Sequence, residues 1–375
     1  MRALVFLLSF LLVFHSIPVN AWGFWAHKRL NRMAIFTLPP EMMRFYKTNI
    51  EYITEHAVDP DSRRYMVEGE AENHYIDVDH YDVLPFPNIP RKWKDAVAKY
   101  SNDTLHAYGI VPWHLQVMLQ RLTDAFRSKD PKRILKISAD FGHYVGDSNV
   151  PLHTTENYNG QMSGQKGIHG FWESRLPELY GETYNFFVGK AFYMDDPLAE
   201  AWQTVIESHT ALDSVFSFEK ELTKQFGEDR KYGFENRNNV LTKVYSRDFS
   251  QAYHNKLNGM VERRMRTTIR RIGSYWFTAW VNAGQPNLDE LLKDKSANQD
   301  SSEIVDPDKR LPIIDREAMM HPARTDDWYF CCMDHSHAHG NKGEFEVDKT
   351  KFISSSIYLE TGYFIAYKVW ISWMG

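Results

Sequence analysis

The apolar residues of this chain recur at steps of three and four along most of its length, which is the spacing of amphipathic helices. The segments with this pattern are 26–38, 41–55, 111–127, the stretch from Asp130 to just before Pro151, and 246–281. Asp130 followed by Pro131 is typical of a helix start, and Gly284 with Pro286 just beyond it is typical of a helix end. The pattern therefore predicts a mainly α-helical domain that ends near Gly284.

The character of the chain changes after this point. Residues 293–309 are polar and charged, and strand-forming residues are concentrated around 357–369. We therefore expect a helical domain over residues 22–284. A C-terminal extension, whose structure the sequence does not define, covers 285–375.

The two cysteines of the chain, Cys331 and Cys332, are adjacent and lie in this extension, so no disulfide framework holds the protein together. With His335, His337 and His339 they form a candidate metal cluster. An ordinary surface loop is the alternative interpretation.

The first 21 residues have the features of an export signal. Arg2 gives a positive start, Ala3 to Phe14 is a short apolar run, and Val19-Asn20-Ala21 is a small-residue cleavage pattern. The apolar run is too short to span a bilayer, although a retained membrane anchor is the alternative. We expect cleavage after Ala21, which predicts a secreted or periplasmic protein whose mature chain starts at Trp22.

Charge gives little sign of a nucleic-acid duplex as partner. The formal net charge is -5, and no block of lysine and arginine stands out. Arginines do lie between the apolar residues of 246–281, at Arg263, Arg264, Arg266, Arg270 and Arg271. We interpret them as a solvated face on a core helix, with contact to lipid headgroups or nucleic acid as the alternative.

Histidines and acidic residues cluster in the middle of the chain. Two helical pairs at a spacing of four, His143 with Asp147 and His169 with Glu173, each place two metal ligands on one helix face. His153 lies between the pairs, just past Pro151. A lone histidine is usually structural, but five ligand-type residues within 31 positions are hard to explain by packing alone.

Further candidates lie upstream, at Asp59, at His74 and at the N-terminus of the mature chain. A free α-amino group and the carbonyl of the same residue can chelate one metal ion, and an α-amine titrates near neutrality. Trp22 would supply both groups, and His27 lies close enough along the chain to join the same ion.

Taken together, these residues resemble the trinuclear zinc site of one superfamily, which contains bacterial zinc-dependent phospholipase C and the fungal single-strand-specific zinc nucleases. The matching elements are Trp22-Gly23 with His27, Asp59, His74, the run from His143 through Asp147 to His153, and His169-Gly-Phe-Trp-Glu173. The resemblance covers the chain from Trp22 to about Gly284. It implies an all-α fold and three zinc ions.

The resemblance also implies how the ligands divide. One ion would take Asp59, His74, His143 and Asp147. A second would take His153, His169 and Glu173, which leaves a position for water and substrate. The third would take Trp22, His27 and Asp147, so that Asp147 bridges two ions.

A phosphodiester resists attack by neutral water, and neighbouring zinc ions can supply a hydroxide and stabilise the leaving oxygen. We therefore predict in-line attack on phosphorus by a zinc-bound hydroxide. We expect Asp59 to orient or deprotonate this nucleophile, with a purely structural ligand as the alternative.

Two branches of the superfamily compete for the substrate. Glu173 and the sixteen-residue step from His153 to His169 resemble the phospholipase pattern, which makes a phospholipid the first candidate. His27 close behind Trp22 resembles the nuclease branch, which cleaves single-stranded nucleic acid. The nuclease branch usually places an arginine three residues after the first ligand aspartate, and here that position is Ser62, followed by Arg63 and Arg64, which argues against a nuclease without excluding it.

The remaining expectations concern partners. We expect a monomer that contacts a phosphodiester substrate and, transiently, a membrane surface. A non-catalytic zinc-binding protein is the alternative from a different class, and the three-ligand second site argues against it.

Overall fold

Helices make up nearly all of the regular structure over residues 23–64, 66–237 and 239–293, which are the residues that the computed structural model describes. The α-helices are α1 (Gly23–Ala34), α2 (Pro40–Thr48), α3 (Ile50–Glu55), α4 (Asp59–Arg63), α5 (Trp93–Tyr100), α6 (Asn102–Ala107), α7 (Val111–Arg127), α8 (Pro131–Ser148), α9 (Leu176–Tyr180), α10 (Pro197–Thr210), α11 (Leu212–Phe226), α12 (Glu228–Lys231), α13 (Arg247–Lys256) and α14 (Met260–Asn282). Short 3₁₀ turns lie at Ile35–Thr37, His56–Val58, Ala71–His74, Val78–His80, Pro151–Thr154, Gly181–Thr183 and Leu291–Lys293, and a π-helical turn spans Gly170–Arg175. Strands β1 (Tyr232–Arg237) and β2 (Val240–Tyr245) pair in one antiparallel hairpin. The predicted all-α class is confirmed for the described residues.

Helix α8 lies at the centre of the fold and carries part of the predicted ligand set. Its start is capped as the sequence predicts, because Asp130 Oδ1 accepts a hydrogen bond from the backbone N–H of Arg133 at 3.0 Å. Ser138 on this helix is buried against Tyr46 and Trp276, whose rings stack at 5.1 Å. Tyr46 shares a 2.8 Å hydrogen bond with the Ser138 hydroxyl, and Trp276 Nε1 donates to the Ser138 carbonyl at 3.1 Å. These contacts fix α8 between α2 and α14.

Two glycines let α1 lie directly on α8. A Cβ at Gly142 would stand 1.9 Å from Asn31 Oδ1, and a Cβ at Gly146 would stand 2.9 Å from His27 Nδ1. The Asn31 side chain also donates to the Ala139 carbonyl at 2.9 Å. The close approach brings His27 of α1 alongside the ligand candidates of α8.

The segment 246–281, predicted as one long helix, is broken into α13 and α14. Asn258 and Gly259 adopt positive φ angles of 48° and 73°, which end one helix before the next begins. The predicted helix over 41–55 is likewise divided, at Asn49.

The arginines of α14 do not form a purely solvated face. Arg271 is 6% exposed, and its guanidinium donates to Glu200 at 2.8 Å and to Glu207 at 3.0 Å. Arg264 donates to the Asn149 carbonyl at 2.9 Å and also contacts Glu207. The expectation that these arginines are solvated is therefore wrong for Arg264 and Arg271. Acidic residues of α10 offset the cost of burying their charges.

The hairpin was not predicted. Its turn lies near Asn239, whose φ angle is 66°, and strand propensity was recognised only near the end of the chain. Among the described residues, none of the helices combines the length and the apolarity needed to cross a bilayer.

Several expectations lie outside the described residues: the export signal over 1–21, Trp22, and the cysteine–histidine cluster from Cys331 to His339. The first residues beyond Gly284 are described and pack on the helical unit. Leu288 is 1% exposed, and Trp280 Nε1 donates to the Pro286 carbonyl at 3.0 Å. The position of the domain boundary stays a prediction.

Candidate metal centre

Imidazole and carboxylate groups from distant parts of the chain converge beside α8. Four overlapping groups have their candidate ligand atoms within 4.8 Å of one another: first, His74, His143 and Asp147; second, His153, His169 and Glu173; third, His27, Asp147 and Glu173; and fourth, His27, Asp61 and His143. Four ligands at about 2.0–2.1 Å around a zinc ion stand roughly 3.4 Å apart from each other. The spacing of these groups therefore fits the coordination of metal ions of this size.

The first group is completely enclosed. His143 and Asp147 are one helical turn apart on α8, and His74 ends the 3₁₀ turn at Ala71–His74. Asp147 Oδ2 lies 2.8 Å from His74 Nδ1 and 3.2 Å from His143 Nε2, and these two nitrogens are 3.1 Å apart. Three ligand-type atoms thus converge on one point.

The second group depends on the π-helical turn at Gly170–Arg175. His169 Nε2 and Glu173 Oε2 are 2.7 Å apart, and His153 Nε2 approaches the same oxygen at 3.3 Å. A π-helical turn is rare and is frequently found at functional sites. It keeps His169 and Glu173 within reach of each other while α9 continues the chain.

The third group joins α1 to the other two. His27 Nε2 lies 3.3 Å from Asp147 Oδ1 and 4.0 Å from Glu173 Oε1. Gly23 is also close, because a Cβ added there would stand 3.5 Å from Glu173 Oε1. The beginning of α1 therefore lies against the cluster, next in the chain to the predicted ligand Trp22.

The sequence analysis selected Asp59 as a ligand beside His74 and His143, but the aspartate of this segment that belongs to one of the four groups is Asp61, together with His27 and His143. Asp59 Oδ2 instead lies 2.6 Å from His56 Nδ1, and Asp59 belongs to none of the four groups. Asp61 Oδ1 lies 3.6 Å from His143 Nε2 and 3.9 Å from His74 Nδ1. The two aspartates are separated only by Pro60 on the short helix α4, so their order along the chain could not decide which one faces inwards.

With Asp61 in this role, Arg64 is the arginine three residues after the aspartate. Arg64 is 6% exposed. Burial lowers the pKa of His169, whereas Asp147 and Glu173 overcome burial and raise the pKa of His153; the charge of Arg64 is a smaller influence that acts to lower both. The arginine position that looked substituted in the sequence is therefore filled when it is counted from Asp61, and the charge of Arg64 acts on both histidines of the second group. The spacing from Asp61 to Arg64 was the signal in the sequence that favours Asp61 over Asp59 as the candidate ligand.

Backbone carbonyls set the tautomers of two histidines. His143 Nδ1 lies 2.9 Å from the Ala57 carbonyl, and His153 Nδ1 lies 2.8 Å from the His74 carbonyl. A carbonyl accepts only, so each Nδ1 carries the proton and each Nε2 is directed at the cluster. Metal-bound histidines are usually oriented in this way, which supports the fit of the site to metal ions.

The buried groups perturb one another's titration. Burial opposes charge on each of them, but Asp147 and Asp61 raise the pKa of His143 well above its ordinary value. Conversely, His143 and His153 hold the pKa of Asp147 well below its usual range. Glu173 keeps a low pKa because His153 and His169 offset its burial. The carboxylates are therefore ionised and need positive charge nearby.

An outer carboxylate network, which the sequence analysis missed, supports the first group. Glu70 Oε1 lies 3.8 Å from His74 Nε2 and 3.5 Å from the Arg63 guanidinium, and the Tyr144 hydroxyl donates to it. Burial would raise the pKa of Glu70, but the nearby His74, the hydrogen bond from Tyr144 and the charge of Arg63 lower it to about 2. Arg63 is held in turn by Asp140 at 3.1 Å.

Fold and site together define an all-helical protein with a candidate multinuclear histidine–carboxylate centre. No protein-family model matches the chain, and no curated protein matches it.

Among solved structures, alpha toxin from Clostridium absonum is similar with a TM-score of 0.42 and 12% identity, over 72% of this chain and 66% of the toxin. An alpha-toxin of Clostridium perfringens from avian strain SWCP is similar with a TM-score of 0.40 and 13% identity, over 75% of this chain and 68% of the toxin. The chain thus spans just under two thirds of the first toxin's length. Structures this distant carry no information on the chemistry of this chain.

Proposed function

We propose that the protein is a zinc-dependent phosphodiester hydrolase of the phospholipase C type. The observation that carries the proposal is the position of Asp147. One of its oxygens faces His27, and the other faces His74 and His143. A carboxylate shared between two ligand groups is the arrangement that holds two metal ions as neighbours.

Three ions are part of the proposal, with one change to the ligands. The first ion takes Asp61 in place of Asp59, together with His74, His143 and Asp147. The second takes His153, His169 and Glu173, and the third takes His27 and Asp147 with the predicted ligand Trp22. Nitrogen and carboxylate donors without thiolate suit zinc.

When bound, zinc ions lower the pKa of a water molecule and polarise the phosphoryl oxygens. The second group supplies three protein ligands, which leaves one tetrahedral position for water or substrate. This feature favours an enzyme over a non-catalytic zinc-binding protein.

Two side chains are placed to assist the reaction. Asp61 has 17% side-chain exposure against 2% for Asp147, so it can orient an incoming water and accept its proton. Arg64 beside the second group can stabilise negative charge that develops on the phosphoryl oxygens. The role assigned to Asp59 in the sequence analysis therefore passes to Asp61.

Phospholipid is the first substrate candidate, because the carboxylate beside His169 belongs to Glu173, as in the phospholipase pattern. One observation favours single-stranded nucleic acid as the second candidate. With Asp61 as the ligand, Arg64 occupies the position that the nuclease pattern reserves for arginine.

The test is hydrolysis of phosphatidylcholine vesicles, single-stranded DNA and RNA by the purified protein, before chelation, after chelation and after zinc is restored. Zinc-dependent release of diacylglycerol supports the phospholipase proposal. Zinc-dependent release of mononucleotides would move the protein to the nuclease branch. Full activity after removal of all metal, or activity on none of these substrates, would overturn the proposal.

A further inference from the structure

The β1–β2 hairpin exposes three large apolar side chains. Phe234 is 68% exposed, Leu241 is 70% exposed and Val240, next to the turn, is 57% exposed. Apolar strand residues that stay in water at this level mark a site of interaction or a risk of aggregation.

The strand register places these residues beside a positive charge and away from negative charge. Phe234 lies opposite Lys243 and Asn236 lies opposite Leu241, so all four project from one face of the hairpin. Lys243 is exposed, with its ammonium group 4.2 Å from the centre of the Tyr232 ring. The acid of the hairpin, Glu235, belongs to the opposite face.

That opposite face is already occupied by the rest of the protein. Arg175 donates to the two Glu235 oxygens at 2.8 Å and 2.6 Å, and it is itself only 5% exposed. Tyr245 lies at the base of the same face as Phe234 and Leu241, because it pairs with Tyr232. It stacks on Phe171 with ring centres 3.8 Å apart, so the protein covers the base of this face and leaves Phe234 and Leu241 exposed. The hairpin is thereby fixed to the π-helical turn that carries Glu173, and Phe234 and Leu241 remain directed outwards.

We propose that this hairpin face, formed by Phe234, Leu241 and Lys243, docks on the surface of a lipid bilayer, while Val240, which pairs with Arg237 on the other face, lies beside it at the turn. Its few side chains are far short of the roughly 20–30 residues that each partner contributes to a stable protein interface. Apolar residues that enter the headgroup region beside a basic residue are the usual composition of an interfacial contact. The proposal concerns binding and does not require that the chain hydrolyse lipid.

The test is co-sedimentation of the zinc-loaded protein with two kinds of vesicle. One kind is phosphatidylcholine alone, and the other contains about 30% phosphatidylglycerol, which makes its surface negative. The double variant Phe234→Ser/Leu241→Ser should lower the partition coefficient on both vesicles by about tenfold or more. Lys243→Gln should lower it about fivefold on the anionic vesicles alone. Val83→Ser is the matched control, because Val83 is 77% exposed in another part of the chain.

Diacylglycerol is measured in the same tubes, so binding without hydrolysis would overturn the proposed function and leave this proposal standing. Circular dichroism shows whether each variant is folded. Absence of vesicle binding by the unaltered protein would overturn the proposal, and so would equal binding by the double variant. A double variant that loses single-stranded DNA binding or self-association, while vesicle binding is absent throughout, would assign the surface to another partner.

Discussion

Asp147 holds His27 and His74 on opposite oxygens of one carboxylate, with Oδ1 3.3 Å from His27 Nε2 and Oδ2 2.8 Å from His74 Nδ1. The relationship depends on α8, because Gly146 immediately before Asp147 has no side chain to keep α1 away. The close packing of α1 on α8 therefore allows one carboxylate, that of Asp147, to face the ligand atoms of two groups.

The choice between the two aspartates of α4 is directly testable. Asp61→Asn should weaken zinc binding by about tenfold or more, because it removes a charged ligand from the first group. Asp59→Asn is the matched control, since Asp59 pairs with His56 at 2.6 Å and should leave zinc content unchanged. Zinc per protein is measured by elemental analysis after dialysis against a weak chelator. The reverse pattern would restore the original assignment of Asp59.

Glu70 is predicted to act on zinc through His74. Glu70→Gln keeps the shape but removes the negative charge 3.8 Å from His74 Nε2, so zinc affinity should fall by about tenfold or more. Competition with a coloured chelator measures the affinity. Glu72→Gln serves as control, because Glu72 pairs with His106 at 2.9 Å. An unchanged zinc affinity would contradict this role. So would a loss of affinity accompanied by an equal loss of stability in the zinc-free protein, since Glu70 would then act on packing alone.

Gly146 is predicted to be needed for the third group. In Gly146→Ala the new methyl group would lie 2.9 Å from His27 Nδ1, so the ring must shift or the helices must separate. We expect a stability loss of about 1–3 kcal/mol and loss of the ion nearest His27. In a His27→Ala background the same substitution should cost less, because the clashing ring is gone. Equal costs in the two backgrounds, measured by urea unfolding, would contradict the contact.

His114 is predicted to make the protein sensitive to acid. Burial lowers the pKa of His114 to about 3, although the negative charge of Glu70 acts in the opposite direction. Between its ordinary pKa near 6.5 and pH 3, the unfolded chain binds a proton that the folded protein does not. Stability should therefore fall as the pH falls through this window.

The comparison of His114→Asn with the unaltered protein isolates this effect, because loss of zinc in acid affects both proteins. The variant should show a shallower decline in the free energy of unfolding, by up to about 1.4 kcal/mol per pH unit. Urea unfolding at pH 4, 5 and 6 provides the measurement. Parallel curves would show that His114 does not titrate as expected.

Much of the metal centre could be anticipated from local sequence. His143 with Asp147 and His169 with Glu173 lie at helical spacing, so helix geometry alone brings each pair together. Their convergence on one site, by contrast, depends on tertiary contacts such as the approach of α1 to α8. Whether these groups and Trp22 bind metal stays a prediction.

Other features depended on competing local interactions. Asp59 and Asp61 have nearly the same sequence context, and it is the contact with His56 that holds Asp59 away from the centre. The break between α13 and α14 is caused by the positive φ angles of Asn258 and Gly259. The apolar spacing on both sides stays helical, so the pattern gave no sign of it. The buried arginines of α14 could not be separated from exposed ones, because their partners Glu200 and Glu207 come from a different helix.

The most direct test of the central claim is zinc titration of the metal-free protein, with bound zinc and phosphodiester hydrolysis measured on the same samples. The account predicts three zinc ions per chain at saturation, hydrolysis that returns only as the sites fill, and loss of both in Asp147→Asn. Hydrolysis by fully metal-free protein would contradict it, and so would an Asp147→Asn variant that binds zinc and hydrolyses its substrate like the unaltered protein.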